Sequence, residues 1–461
     1  MPARPPSFLI TDVLQAFTED GAHRKLSAWL KEVPRPVDRE RQLLRLSDPE
    51  LQRLGEHADV ADIVDLLESV NKDVAARLLA AMAAADAART IDALDTDDAV
   101  AILREIPDGS RESILAALPV DRAQLCRGLL SWPHDSVAAH MVPETLRVTP
   151  EMSAGEAIAA VRDDAVTLRS DSRTGAYIYV VDAQSHLLGV VAFRDLVLAD
   201  PREPVTRLMN DDLLMVSPLT NAEEAGLALT DFNLVAVPVV DAERRLLGIL
   251  TEDSAADIAE WEATEDAARQ GGSEPLDVPY LRASPWLLWR KRIVWLLLLF
   301  AAEAYTGAVL RAFEDELEAV VALAFFIPLL IGTGGNTGTQ ITTTLVRAMA
   351  TGHVRFRDLP AVLVKELSTG VLIAATMGIA AVIRAWMLGV GPEVTITVAL
   401  TVAAIVMWSA LVASVLPPLL KKMRVDPALV SAPAIATIVD GTGLIIYFLI
   451  AHATLSQLNG L

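Results

Sequence analysis

The chain has 461 residues, with 39 Lys and Arg against 60 Asp and Glu and a formal net charge of −21. Such an acid excess argues against a nucleic-acid binder, whose phosphates need Lys and Arg. The single cysteine, Cys126, excludes a disulfide framework or thiolate metal centre within one chain.

The charge is unevenly spread. From Trp286 onward there are 12 basic and 10 acidic residues, a net of +2, so the first 285 residues carry −23. Most of that acid serves solubility, and a subset of clustered carboxylates is suited to hard cations, which take oxygen ligands. Residues 1–6 hold no apolar run between a basic segment and a cleavage site. This predicts no signal peptide and a soluble half that stays in the cytoplasm.

Residues 7–133 read as short helices. Apolar pairs recur at Leu66-Leu67, Leu78-Leu79, Ile102-Leu103, Ile114-Leu115 and Leu129-Leu130, separated by Asp or Pro. Asp suits helix N-caps because its oxygen accepts the free amide protons of the first turn. Capped helices with regularly spaced apolar pairs predict an α-helical, solenoid-like N-terminal domain.

From about residue 138 the pattern changes. Tyr177-Ile178-Tyr179-Val180-Val181-Asp182 and Leu187-Leu188-Gly189-Val190-Val191 are strand-like, and the pair returns at Val235–Asp241 and Leu246-Leu247-Gly248-Ile249-Leu250. A helical stretch precedes each copy, at residues 154–161 and 222–228. This internal repeat of ~60 residues resembles a tandem pair of α/β CBS domains. A Glu- and Ala-rich helix follows at residues 259–269 and breaks at Gly271-Gly272.

Five stretches reach the ~20 apolar residues that a membrane span needs: 293–310, 319–345 with a polar middle, 360–388, 394–420 and 428–451. Arg290, Lys291 and Arg292 precede the first span. Arg347, Arg355, Arg357 and Lys365 lie between the second and third, and Lys421, Lys422 and Arg424 between the fourth and fifth. All basic loops thus fall on the side of the soluble half, which puts the N-terminus inside and the C-terminus outside. The predicted domains are 1–135 (acidic helical), 136–200 and 201–258 (the CBS pair), 259–284 (linker helix) and 285–461 (five-helix transmembrane bundle).

Within the spans, Gly332-Thr333-Gly334-Gly335-Asn336-Thr337-Gly338-Thr339-Gln340 is costly in lipid unless buried in protein or facing water. Helix packing explains the glycines but not Asn336 and Gln340 beside three threonines, so a pore lining is expected. Asp440 lies about twelve residues into the last span, roughly mid-membrane, and an isolated carboxylate there is a functional-site candidate. It suits a cation ligand or a proton relay; a buried salt bridge is not expected, because the other spans carry no base in their cores. Glu303 in the first span lines the pore, faces an outer vestibule with Glu314–Glu318, or snorkels to the interface. The linker helix carries Asp257, Glu260, Glu262, Glu265 and Asp266. Glu262 and Asp266 share one face, so whatever neutralises these acids acts next to the first span.

Pro328-Leu329-Leu330-Ile331 followed by GTGGNTGTQ, then Asp426-Pro427-Ala428-Leu429-Val430-Ser431 and Ala436-Thr437-Ile438-Val439-Asp440-Gly441-Thr442-Gly443-Leu444, resembles the signature of the MgtE magnesium channels. The order of acidic helical region, CBS pair, linker helix and five spans is similar too. The resemblance implies a homodimer in the lipid bilayer with one central pore for Mg2+. It makes Asp440 the pore cation ligand, acting through water because Mg2+ dehydrates reluctantly, with the carbonyls of Gly335 and Ala436 helping. Asn336, Thr339, Gln340 and Thr437 would line the pore. It further implies that Glu223, Asp257, Glu262, Glu265, Asp266 and Asp426 bind cytoplasmic Mg2+, draw the "plug" helices together and close the pore.

Two positions depart from that pattern. Thr339 stands where the family often has Asn, which bears on selectivity. The first CBS unit keeps Asp195, suited to the ribose of ATP, whereas the second has Ser254 where an Asp is usual. The competing readings are a Na+- or H+-coupled divalent-cation exchanger and a membrane-anchored CBS sensor that conducts nothing. An enzyme is not expected: the histidines form no ligand-spaced pair in the soluble half, and no phosphate loop or nucleophile motif is present.

Overall fold

The computed structural model describes residues 9–16, 23–167, 176–276, 278, 280, 283–423, 425 and 432–458. It divides into two compact units, Met1–Glu260 and Trp261–Leu461.

The N-terminal part of the first unit is a run of short helices, among them Lys72–Ala81, Ala84–Ala93, Thr96–Glu105, Asp108–Ala117 and Val120–Leu130. The punctuation stands where the sequence places it, but Asp59 and Asp95 hold the N-cap position without a side-chain cap hydrogen bond, so the expected capping by the carboxylate oxygen is not seen. Asp95, Pro107 and Pro119 hold the extended N-cap position of three successive helices, and Pro fits there because it needs no hydrogen-bond partner for an amide it lacks. Ser47 and Glu50 form a reciprocal capping box. The apolar pairs face inward: Leu66, Leu67, Leu79, Ile102 and Leu103 are fully buried. Their burial drives helices too short to be stable alone.

The repeat is two matching hairpins. Strands β1 (Arg147–Val148), β2 (Tyr177–Val181) and β3 (Leu187–Ala192) form one sheet in that order, with β1 parallel and β3 antiparallel to β2. Strands β4 (Ala236–Val240) and β5 (Leu246–Thr251) pair antiparallel. Both hairpins carry a bulge at the same place, between Val180 and Val181 and between Val239 and Val240. Both turns are held by an Asp: Asp182 accepts the amides of Gln184 and His186, and Asp241 those of Glu243 and Arg245. Each hairpin is crossed by backbone of the other repeat. Val190 bridges Asn210, and Ile249 bridges Val142. A Cβ at Gly189 would stand 2.9 Å from the Asn210 carbonyl oxygen, and one at Gly248 2.6 Å from that of Val142. The repeated Leu-Leu-Gly thus has a steric cause, since only glycine admits this close backbone approach. N-terminal helices and the second repeat share one core, in which Leu103, Leu129, Val137, Leu229, Val239 and Ile258 are all buried.

The acidic helix runs Glu252–Gln270, beginning seven residues before the predicted start at 259. The reason is local: β5 ends at Thr251, whose hydroxyl oxygen accepts the Ser254 amide and so caps a helix that starts directly from the strand.

The second unit has five helices long and apolar enough to cross a membrane, here called spans 1 to 5: Pro285–Ala312, Val321–Ala350, Phe356–Leu388, Pro392–Lys422 and Pro433–Thr454. Ser284 caps span 1 by accepting the Leu287 amide. The predicted second span from 319 is not one helix. Glu314–Ala319 is a short helix, Val321–Phe326 a 3-10 turn, and the α-helix proper runs Ile327–Ala350 with Pro328 in its first turn, where Pro is tolerated.

Candidate functional site

The glycine-rich stretch lies on the Ile327–Ala350 helix, unbroken from Gly332 to Gln340. Two of its glycines serve close packing. A Cβ at Gly334 would stand 2.7 Å from Ile405 and Val439. One at Gly338 would stand 2.5 Å from Ile435 and 2.8 Å from Ser409 Oγ. Ser409 is fully buried and donates to the Gly334 carbonyl at 2.7 Å. Side chains of spans 4 and 5 therefore pack directly on the span 2 backbone, as small residues allow in lipid.

Gly335 faces span 5. A Cβ there would stand 3.2 Å from Ala436 Cβ and 3.5 Å from Asp440 Oδ1. The structure thus brings Gly335, Ala436 and Asp440 together from two helices. Asp440 Oδ1 is buried and has no hydrogen-bond partner, an unusual state for a carboxylate oxygen. Thr437, one turn before Asp440, turns its hydroxyl to the Pro433 carbonyl. Asn336 and Gln340 are exposed, as are Thr343, Thr344 and Arg347, whereas Thr339 is half-buried. This polar stripe at i, i+4, i+7 and i+8 runs along one face of a membrane-length helix. Nothing among the described residues covers it, and a stripe of this kind does not face lipid.

Glu303 is exposed on span 1, which packs against span 5. The two helices touch at Gly441, where a Cβ would stand 2.1 Å from the Tyr305 ring.

The soluble acids divide between the two units. Asp257, on the helix Glu252–Gln270, sits among Lys72, Asp97, Asp98, Asp253 and Glu260. Lys72 is ion-paired to Asp98. Ser254 hydrogen-bonds Thr251 at 2.9 Å and lies 3.5 Å from Asp97 Oδ2. Burial and then the neighbouring Asp98 push the Asp97 carboxyl up to about 7. Burial also raises Asp257, while Lys72 pulls it back. Lys72, Asp97 and Asp98 were not among the expected residues: they lie far from Asp257 in the sequence, on helices with no motif. Glu223 is in the first turn of the helix Ala222–Asp231, which packs against the start of the acidic helix where Gly226 meets Ala255.

In the second unit, Glu265 is buried and ion-paired to Arg269 one turn on, while Glu262 and Asp266 are half-buried. After this helix, Gly272 at φ +70° presses on the Trp295 ring of span 1, with Pro433 of span 5 close by, and the Glu274 amide donates to the Lys291 carbonyl. The turn that follows the acidic helix is therefore seated on the basic N-terminal end of span 1, with the first turn of span 5 close by. Asp426 lies outside the described residues. Asp195 is exposed in the first turn of Phe193–Leu198, 3.5 Å from Arg194. His134 and His140, not a ligand-spaced pair in sequence, stand edge to face with ring centroids 5.5 Å apart. Burial lowers His140 to about 4. Among the described residues no three His, Cys, Asp or Glu side chains converge as a metal site.

The pattern of the MgtE divalent cation transporter family matches residues 327–450. That of the MgtE intracellular N domain matches residues 35–135, and that of the CBS domain residues 205–258. The magnesium transporter MgtE of Thermus thermophilus is 40% identical over 337 residues, 73% of this chain and 74% of that protein. That of Bacillus subtilis is 26% identical over 439 residues, 95% of this chain and 96% of that protein. A solved cytosolic domain of the Mg2+ channel MgtE in complex with ATP is 26% identical, covers 50% of this chain and 98% of that one, and has a TM-score of 0.37. The family is one of transporters and not of enzymes, and its helical domain, CBS pair and apolar helices occur here in the same order. The chain belongs to the MgtE family of magnesium transporters.

Proposed function

We propose that the protein is a homodimeric channel for Mg2+ uptake in the cell membrane, closed by Mg2+ bound to its cytoplasmic acids. The observation that carries this reading is the Asp440 carboxylate, mid-span, with a buried oxygen lacking a partner and Gly335 and Ala436 beside it. A carboxylate in that setting calls for a cation, and Mg2+ with its water shell matches a site offering few direct protein oxygens. One chain supplies too few ligands for a closed site, and its polar stripe at Asn336 and Gln340 is uncovered. A second copy across a two-fold axis supplies both lacks. Thr339 and Thr437 flank the same pathway.

The N-terminus lies in the cytoplasm and the C-terminus outside, as the basic loops direct. The domain limits are those drawn from the sequence, 1–135, 136–200, 201–258, 259–284 and 285–461. Cytoplasmic Mg2+ would be held by Glu223, Asp257, Glu262, Glu265, Asp266 and Asp426, and the seat of Gly272 on Trp295 passes the result to spans 1 and 5. Mg2+ binds the closed state better and so selects it. ATP at the CBS pair would use Asp195 for its ribose.

Mg2+ influx into proteoliposomes tests the reading, with internal Mg2+ low and then high. Flux at low internal Mg2+ that falls at high Mg2+ is expected, with none in Asp440→Ala. Equal flux in both proteins removes Asp440 from the pathway. A requirement for a Na+ or proton gradient replaces the channel with an exchanger.

A further inference from the structure

Arginine has a recurring structural use in the helical domain. Arg77 donates to the Leu46 carbonyl at 2.7 Å and pairs with Asp48 at 2.8 Å. Arg122 donates to the Leu94 carbonyl at 2.7 Å and pairs with Glu144 at 3.4 Å. Each guanidinium satisfies a carbonyl at or just past a helix end and keeps one carboxylate. Arg104, in the last turn of the helix Thr96–Glu105, makes the same kind of contact, to the Leu129 carbonyl at 2.9 Å. There the likeness stops. Its Nε is buried without a hydrogen-bond partner, and a cavity of about 460 Å3 that it lines brings in two further guanidiniums, Arg111 and Arg127. Burial and then the Arg111 charge lower Arg104 from its ordinary value. Three successive helices thus each give an arginine to one opening, in a chain whose net charge is −21. Glu105 and Glu112 share the lining, so the bases outnumber the acids. His134 in the same wall is lowered by burial and then by Arg104, and adds no charge at neutral pH.

We propose that this cavity binds a small phosphate-bearing anion. A carboxylate offers two oxygens and is satisfied by one bidentate guanidinium. Three guanidiniums around one void match an anion with more oxygens and more charge, which a phosphate or diphosphate group supplies. The acids that engage them now are weakly held. Arg127 meets Glu112 at 3.4 Å, with side chains 47% and 65% exposed, and Arg111 pairs with Asp108, which is 91% exposed. Exposed pairs of this kind contribute ~0–1 kcal/mol, so a more highly charged anion displaces them at little cost. Arg104, anchored to the Leu129 carbonyl, is the fixed member of the three. The volume lies within the ~300–1,000 Å3 of small-molecule sites, and Leu115 and Leu130 in the wall suit a carbon skeleton attached to the phosphate. The site lies wholly within the helical domain and does not rest on the reading of the pore.

The test is calorimetric titration of the full-length protein in detergent, without Mg2+. Pyrophosphate and inorganic phosphate are the probes, and citrate is the carboxylate control. Saturable pyrophosphate binding, tighter than that of citrate, is expected. Arg111→Gln and Arg127→Gln should each weaken it roughly tenfold, the weight of one charge-assisted hydrogen bond. Arg127→Lys, which keeps the charge but not the fork, should recover part of the loss. Arg89→Gln, at an exposed arginine outside the cavity, should leave binding unchanged. Pyrophosphate binding that both cavity variants leave intact places the anion elsewhere and overturns the proposal, as does the absence of pyrophosphate binding. Citrate bound as tightly as pyrophosphate overturns the assignment to phosphate.

Discussion

Carboxylates short of counter-charge occur in both units, and the two regions handle them differently. Around Asp257 the protein supplies its own cation: Lys72 pairs with Asp98 and lies close to Asp97 and Asp257. Around Asp440 it supplies none, and one carboxylate oxygen is buried without a partner. A soluble domain near water can keep a lysine in an acidic cluster at modest cost. A membrane helix cannot, because each added charge must itself be desolvated. A site proposed to hold and release a mobile ion is thus best left without a resident base.

The sharpest way to break this comparison is Asp440→Ala. If an external cation is the only partner of that carboxylate, Mg2+ flux in proteoliposomes should fall by roughly 100-fold or more, the upper range for loss of a metal contact. The packing that presents the site comes next. Gly338→Val places a side chain where a Cβ already meets Ile435 at 2.5 Å, and overpacking of this kind costs about 1–3 kcal/mol. Gly332→Ala is the control: nothing lies within 4 Å of its Cβ position, and an alanine there should raise helix stability by about 0.5–1 kcal/mol. Thermal unfolding of the detergent-solubilised protein reads both.

Lys72→Met removes the resident cation from the soluble cluster. The pair is about a quarter exposed, so a loss of about 2 kcal/mol is expected. Millimolar Mg2+ should recover part of it if these acids accept a divalent ion in place of the ammonium. The last test concerns pH. Asp97 titrates near 7 in the fold against 3.8 ordinarily, so the folded state holds a proton that the unfolded state has lost between those values. Stability from this group therefore falls as pH rises from about 4 to about 7 and is flat above. Asp97→Asn should remove that slope and leave the segment 1–260 more stable than wild type at pH 8. Circular-dichroism melts at pH 5 and 8 check it.

Much of the fold was legible because it rests on local signals. Five long apolar runs mark the spans, paired Leu between caps marks the helical domain, and the recurring Leu-Leu-Gly marks the two hairpins. The acidic helix was read short because its first turns, Glu252-Asp253-Ser254, carry turn-like residues, and only the end of β5 and the Thr251 cap show that a helix starts there. Asp440 stood out because a carboxylate within an apolar run is rare and costly. Lys72 did not, since a lysine on a short soluble helix is ordinary until its neighbours are known.

By itself the sequence determined which stretches enter lipid, which fold in water, and where one carboxylate sits at a cost within an apolar run, because each follows from the transfer cost of residues to their solvent. The tertiary structure alone decided that Gly334 and Gly338 are packing surfaces while Gly332 is not, that Gly335 and Ala436 stand at Asp440, and that Tyr305 of span 1 lies on Gly441. Those facts depend on which helix face meets which. Helix faces are chosen by the fit of side chains far apart in the chain, and no local pattern records that fit.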